Sequence, residues 1–239
     1  METPPTLHGQ LYLLAYDRTR HSFDLDRRWL LGFGLRAAML TDLFLTGHLR
    51  DDEGVACRAM ASPPGDPLLC SVFNTVDVKR PKTWAWLVAA HKEQAPALVR
   101  DQLIKGGWLR SRRSWTLGVI PSARIGPYDE DIVISLADRA ILALGGATAG
   151  RPVDPRNFAL GLLGVLAEMP TLPGPHECVT RAMEVRELTE FAAAPIAGLS
   201  RAVMSAYDEA RGRSSGTYVS TGSSGCGGGC GGGCGGCGG

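Results

Sequence analysis

The residues with the clearest chemical capacity are arginines. Arg27, Arg28 and Trp29 stand together, Arg36 follows soon after, and Arg100, Arg110, Arg112 and Arg113 cluster later in the chain. An arginine fork grips two phosphate oxygens at once, and an aromatic beside it can wedge into a membrane interface. Brought to one place, these side chains could hold a phosphorylated head group. Arg36 is the most informative of them. It lies in Gly34–Leu49 (GLRAAMLTDLFLTGHL), where Leu35, Ala38, Met39, Leu40, Leu43, Phe44 and Leu45 occupy nearly all sides of a helical wheel. A helix apolar on most sides is buried. A guanidinium there keeps its proton and is costly to bury without a partner. Two kinds of partner are open: a carboxylate of this chain, such as Asp42 or Asp129, or an anion from outside.

Other reactive residue types form no comparable pattern. The sequence has no G-x-S-x-G, no P-loop, no G-x-G-x-x-G opening a βαβ unit and no H-E-x-x-H. His8, His21, His48, His91 and His176 are far apart, and adjacent residues such as His176-Glu177-Cys178 chelate one metal poorly. Cys57, Cys70 and Cys178 read as small buried hydrophobes. Cys226, Cys230, Cys234 and Cys237 sit in a glycine tail. Their thiolates are weak candidates for zinc or copper, because glycine linkers make an ordered cage entropically costly. The expectation is a non-enzymatic protein with no catalytic residue, no cofactor and no metal site.

The totals narrow the partners. A chain of 239 residues with 44% hydrophobic composition can bury one sizeable core. Its net charge of +1 gives no global attraction for polyanions, so any phosphate contact must come from local clustering. No run approaches the ~18 to 20 apolar residues needed to span a bilayer. Met1-Glu-Thr-Pro-Pro has neither a basic nor an apolar leader region. The chain reads as cytoplasmic, with any membrane contact peripheral.

The elements that would position these residues are mostly helical. Leu11–Tyr16 is a short apolar run that fits either a strand or a helix. Asp24 or Asp26 could cap a helix carrying Arg27, Arg28 and Trp29, which Gly32 and Gly34 interrupt or pack closely. Asp51–Gly54 reads as a turn between Gly47–Leu49 and a strand from Val55. Asp66 caps a helix from Pro67 to about Val76, and Lys79-Arg80-Pro81-Lys82 is a basic loop before a helix capped by Thr83. Pro96–Gly106 is a helix, followed by a β-hairpin over Leu109–Ile120 with Arg112-Arg113-Ser114 near its tip. Pro121–Pro127 reads as a loop. A helix opened by Asp129 or Asp131 should stop at Gly145-Gly146, and another begins at Asp154. Two more helices are expected over Val179–Ala194 and Ile196–Ala210. Residues 1–7 read as a flexible N-terminus, and 212–239 as a disordered Gly/Ser/Cys tail. A helix, Gly-Trp-Leu and then a basic hairpin also describes a winged helix, which would make the chain a protein- or DNA-interaction module. A net charge of +1 makes nucleic acid an unlikely partner.

Taken in order, LYLLAYD at Leu11, GLRAAMLTDLFLTGHL at Gly34, GDPLL at Gly65, VRDQLIKGGWLR at Val99 and the IGPYDED stretch resemble the Golgi phosphoprotein 3 family, over about residues 8 to 210. The composition and tail suit a bacterial member. The resemblance implies a compact, mainly α domain over 8–211, built around a central helical bundle, with a protruding β-hairpin used for self-association. It also implies peripheral binding to phosphatidylinositol-4-phosphate or other anionic lipid head groups at a membrane surface, the Golgi in eukaryotic members. Those members retain glycosyltransferases through their cytosolic tails; protein clients of this chain are not implied. The family's pocket uses a tryptophan nine residues before the G-L-R arginine, that arginine, and two arginines on the helix before the hairpin. Here the tryptophan position falls at Arg27, the G-L-R arginine is Arg36, and the helix arginines fall near Glu93 and Pro96. Trp29, Arg100 and the hairpin arginines are the nearest substitutes.

Overall fold

The apolar run around Leu11 folds as a helix, not a strand: α1 spans Leu7–Leu14, and every one of its residues is buried. This computed structural model describes residues 2–23, 28–116 and 120–172. Among them are seven helices and three small antiparallel sheets, so the protein is mainly α. After α1, strands β1 (Tyr16–Asp17) and β2 (Ser22–Phe23) pair with each other. Helix α2 then runs unbroken from Arg28 to Leu45, through both Gly32 and Gly34. Those glycines therefore do not interrupt it. Helix α2 packs against α1, α3 (Pro67–Thr75), α4 (Trp84–Ala89), α5 (Ala95–Lys105) and α7 (Pro155–Leu166), while α6 (Glu130–Thr148) packs on α7 and α1. Leu31, Leu35, Leu40 and Leu43 of α2 are among the most deeply buried side chains.

The helix does not reach Leu49. Gly47 takes φ 75°, a conformation that suits glycine. Its N–H donates to the Phe44 carbonyl and that of His48 to the Leu43 carbonyl, a Schellman closure. Leu49 then begins β3 (Leu49–Asp52), which pairs with β4 (Val55–Arg58), and β4 pairs with β5 (Lys82–Thr83). The turn is thus only Glu53-Gly54, both at positive φ. The same device ends α5. Gly107 sits at φ 76°, and Trp108 N–H donates to Leu103 before β6 begins at Leu109.

Three further expectations change. Strand β6 (Leu109–Thr116) pairs with β7 (Ile120–Pro127) in an antiparallel hairpin. Arg112, Arg113 and Ser114 therefore lie mid-strand rather than near the tip, and Pro121–Pro127 is a strand rather than a loop. Gly145-Gly146 does not stop α6, which continues to Thr148 and closes at Gly150, φ 65°. The capping carboxylates Asp66, Asp129 and Asp154 do cap α3, α6 and α7, each accepting an early amide. The expected caps Asp24 and Asp26, the helices beyond Val179, and the tail lie outside the described residues.

A buried polar network ties the start of α1 to the rest. The Asp42 carboxylate accepts the Leu7 amide at 2.6 Å. An Arg156 guanidinium nitrogen lies 2.8 Å from its other oxygen. That oxygen has no well-directed donor, so the contact is ionic. His8 is fully buried, shares a hydrogen bond with Gln102 at 3.1 Å, and has its other ring nitrogen 3.9 Å from Asp42. Gln102 in turn donates to Asp66, the cap of α3. Arg156 also donates to the Pro5 carbonyl, so residues before α1 are held in place. No helix among the described residues is long and apolar enough to cross a membrane.

Candidate functional site

Helical spacing sets out one face of α2. Trp29, Gly32, Phe33 and Arg36 fall at intervals of three, four and seven residues, so they share a stripe. Helix α4 and the turn after it lie against this stripe. Gly32 makes the approach feasible, because a Cβ there would collide with the Lys92 carbonyl oxygen. The Lys92 ammonium sits 4.0 Å from the Phe33 ring centroid, a cation–π contact that places a second positive charge one turn before Arg36.

Arg36 itself is 5% exposed. One terminal nitrogen donates to the Leu87 carbonyl at 3.0 Å. Leu87 belongs to the last turn of α4, where backbone carbonyls have no intrahelical donor and carry the negative end of the helix dipole. The guanidinium therefore caps the C-terminus of α4. That single bond leaves most of its donors unused, and its Nε is buried with no partner. Burial pushes its pKa down to about 10, and no carboxylate among the described residues acts on it. Asp42 is engaged by Leu7 and Arg156, and Asp129 caps α6. Neither candidate carboxylate takes up Arg36.

The other arginines are placed separately. Trp29 is half-buried, packed against the core on the Arg36 stripe. Arg27 lies outside the described residues. Arg100 closes a two-nitrogen contact with its own neighbour Asp101, at 2.7 and 2.8 Å. Arg110 is exposed and lies over the Tyr128 ring, 5.3 Å from its centroid. In the ladder, Arg112 stands opposite Arg124 and Arg113 opposite Ala123. Glu93 is exposed and Pro96 is buried. The structure thus sets Trp29 and Arg36 two turns apart on one face of α2, places Lys92 over Phe33 between them along the helix, and engages Arg100 and Arg110 elsewhere.

Lys92 was not singled out in the sequence. Its partner Phe33 is far away in the chain, and no local pattern announces such a pair. The Trp29–Arg36 stripe, by contrast, is readable from spacing. Beside it, between α2, α4 and α7, an apolar cleft is lined by Leu30, Phe33, Val88, Leu163 and Leu166. Among the described residues its lining carries no charged group; Arg36 and Lys92 are the cations on the neighbouring α2 stripe. Among the described residues no group of His, Cys, Asp and Glu could hold a metal. Cys57 and Cys70 are free and half-buried; Cys178 and the four tail cysteines lie outside the described residues.

A model of the Golgi phosphoprotein 3 (GPP34) family matches residues 7–210. No curated protein matches the chain.

Proposed function

The chain belongs to the Golgi phosphoprotein 3 family, and on that premise we propose that it is a non-enzymatic peripheral membrane adaptor that takes the phosphorylated head group of an anionic lipid, phosphatidylinositol 4-phosphate or a similar one, against Arg36. Family membership is consistent with a peripheral adaptor; the lipid is the finer step. The observation that carries it is the state of Arg36: a guanidinium 5% exposed, bonded to one carbonyl and, among the described residues, facing no carboxylate. Such a charge is unfavourable in a stable core, and an anion arriving from outside would satisfy it. Lys92 supplies the second positive charge, in place of the helix arginines that this chain replaces with Glu93 and Pro96. Trp29, two turns before Arg36, is the aromatic of the set. Arg27, Arg100, Arg110, Arg112 and Arg113 would add long-range attraction rather than direct contacts.

The hairpin supports self-association. Strands β6 and β7 form ladder bonds only with each other among the described residues, although β2 lies against β7, so an unpaired strand edge of β6 is available to a second copy. The membrane would be met from the cytosolic side; the Golgi is the location that the family suggests.

The test is a calorimetric titration of glycerophosphoinositol 4-phosphate, the soluble head group, into the full chain. Saturable binding is expected, abolished by Arg36→Met and weakened about tenfold by Lys92→Gln, the loss of one charge-assisted contact. Absence of binding, or binding indifferent to both substitutions, would sink the reading. A salt-sensitive DNA mobility shift lost in Arg112→Gln/Arg113→Gln would put the hairpin-based interaction module in its place.

A further inference from the structure

The segment Val78–Lys92 contains four Lys or Arg and no Asp or Glu, although the chain carries a net charge of only +1. It also shows two large apolar side chains to solvent, Val78 at 73% and Trp86 at 49% exposure. Local structure explains why they point outward. Thr83 caps α4 through the Trp86 amide, and Trp84 and Leu87 turn into the core. Trp86 stands about 200° round the helix from Trp84, at roughly 100° per residue, and so faces out. The loop before α4 is fixed at both ends: the Lys79 amide donates to Asp77 at 2.8 Å, and Lys82-Thr83 pairs with Val55-Ala56.

Lys79, Arg80 and Lys82 are all exposed, and no ion pair engages them among the described residues. The Lys82 ammonium lies 5.4 Å from the Trp86 ring centroid, keeping cation and indole side by side. One exposed tryptophan alone needs no explanation. A tryptophan and a valine among unpaired cations is the composition of a surface that meets a bilayer. There the indole and the aliphatic group enter the head-group boundary, and the ammonium and guanidinium groups stay at the phosphates. The acidic end of β3 and its turn, Asp51–Glu53, adjoins Trp84, since the Trp84 indole donates to Asp51. It bounds the face and confines contact to the 78–82 loop and the Trp86 side of α4.

We propose that Val78, Lys79, Arg80, Lys82 and Trp86 form a bilayer-contact surface for anionic lipid, distinct from the head-group site. The inference rests on the lipid-binding reading above and extends it. The same short helix that presents Trp86 outward offers the Leu87 carbonyl to Arg36, so surface and site share one support.

The test sediments the full chain with phosphatidylcholine vesicles and with vesicles that also carry phosphatidylserine. The chain should pellet with the anionic vesicles only. Lys79→Gln/Arg80→Gln/Lys82→Gln, all at exposed positions, should partition about a hundredfold more weakly, at about fivefold per cation, while still titrating the soluble head group normally. Acyl-brominated lipid should quench wild-type fluorescence, and Trp86→Phe should remove that quenching. Undiminished partition of the triple variant, quenching unchanged in Trp86→Phe, or no pelleting of the wild type would overturn the proposal. If the triple variant partitions normally but head-group binding needs Arg36, this surface falls and the head-group site stands. If it fails to partition and no head group ever binds, the surface stands and the site falls.

Discussion

Arg36 separates a structural from a functional charge. A charge held by a carboxylate partner would cost about 3–5 kcal/mol when that partnership is broken. Among the described residues Arg36 has only the Leu87 carbonyl, so Arg36→Met should change stability by no more than about 2 kcal/mol, the lost bond being offset by relief of a buried charge. Urea unfolding measures this, and a larger loss would assign Arg36 to the core. His8 and Asp42 give a second prediction, because burial moves them in opposite senses. Burial raises the Asp42 carboxyl to about 6, outweighing the Arg156 guanidinium and the Leu7 amide. The folded chain then binds a proton there more readily than the unfolded one, so this group adds stability as pH falls through 6. Burial lowers the His8 pKa, so the unfolded chain is the better proton acceptor there, and stability falls as pH drops below 6.5. The two slopes oppose, each at most about 1.4 kcal/mol per pH unit. Unfolding between pH 7 and 5 should therefore be nearly flat in the wild type. It should gain stability with acid in His8→Gln and lose it in Asp42→Asn; parallel profiles for the two variants would refute the opposition. The charge on Arg36 was legible in sequence because it broke an apolar stripe. Its partner was not, because a backbone carbonyl leaves no mark in a sequence. The His8–Asp42–Arg156 network escaped for a similar reason: its members are separated widely along the chain and meet only in the fold.

At the scale of elements, glycines decide more than their propensities suggest. Gly32 lets the turn after α4 touch α2. Gly32→Ala adds a methyl group against the Lys92 backbone, which cannot swing aside as a side chain can. It should destabilise by about 1–3 kcal/mol, despite better helix propensity, and weaken head-group binding by displacing Lys92. Gly145 in α6 has nothing within 4 Å of an added Cβ. Gly145→Ala should therefore raise stability, by about 0.5–1 kcal/mol. Thermal melts of the two variants should shift in opposite directions; a matching shift would contradict the packing described. Element types were mostly readable from periodicity and caps, as at Asp66, Thr83 and Asp154. The boundaries that failed did so for one physical reason. A glycine ends a helix when the chain needs positive φ, as at Gly47, Gly107 and Gly150, and not where it merely occurs, as at Gly32 and Gly145. The strand over Ile120–Pro127 was missed because two prolines and a serine read as loop, whereas pairing with β6 holds them extended.

Across the whole molecule, a net charge of +1 hides segregation. Composition alone argues against polyanions, yet Lys79, Arg80, Lys82 and Lys92 come together around one short helix. The sequence displayed these charges but not that Lys79, Arg80, Lys82 and Trp86 face outward beside α4, while Lys92 packs on Phe33 and the Leu87 carbonyl holds Arg36 from within. Attraction through an exposed set is screened as the Debye length shrinks from about 10 Å at 0.1 M salt to about 3 Å at 1 M. Partition onto anionic vesicles should therefore fall steeply over that range while the melting temperature hardly moves, and salt-indifferent partition would contradict the electrostatic account. The proposed anion would be received at the buried Nε of Arg36, which has no hydrogen-bond partner among the described residues. NMR of the Arg36 Nε–H group, assigned by its loss in Arg36→Met, tests this most directly. Adding glycerophosphoinositol 4-phosphate should shift that resonance saturably and slow its exchange with water; a resonance that stays unmoved while the head group binds would contradict it.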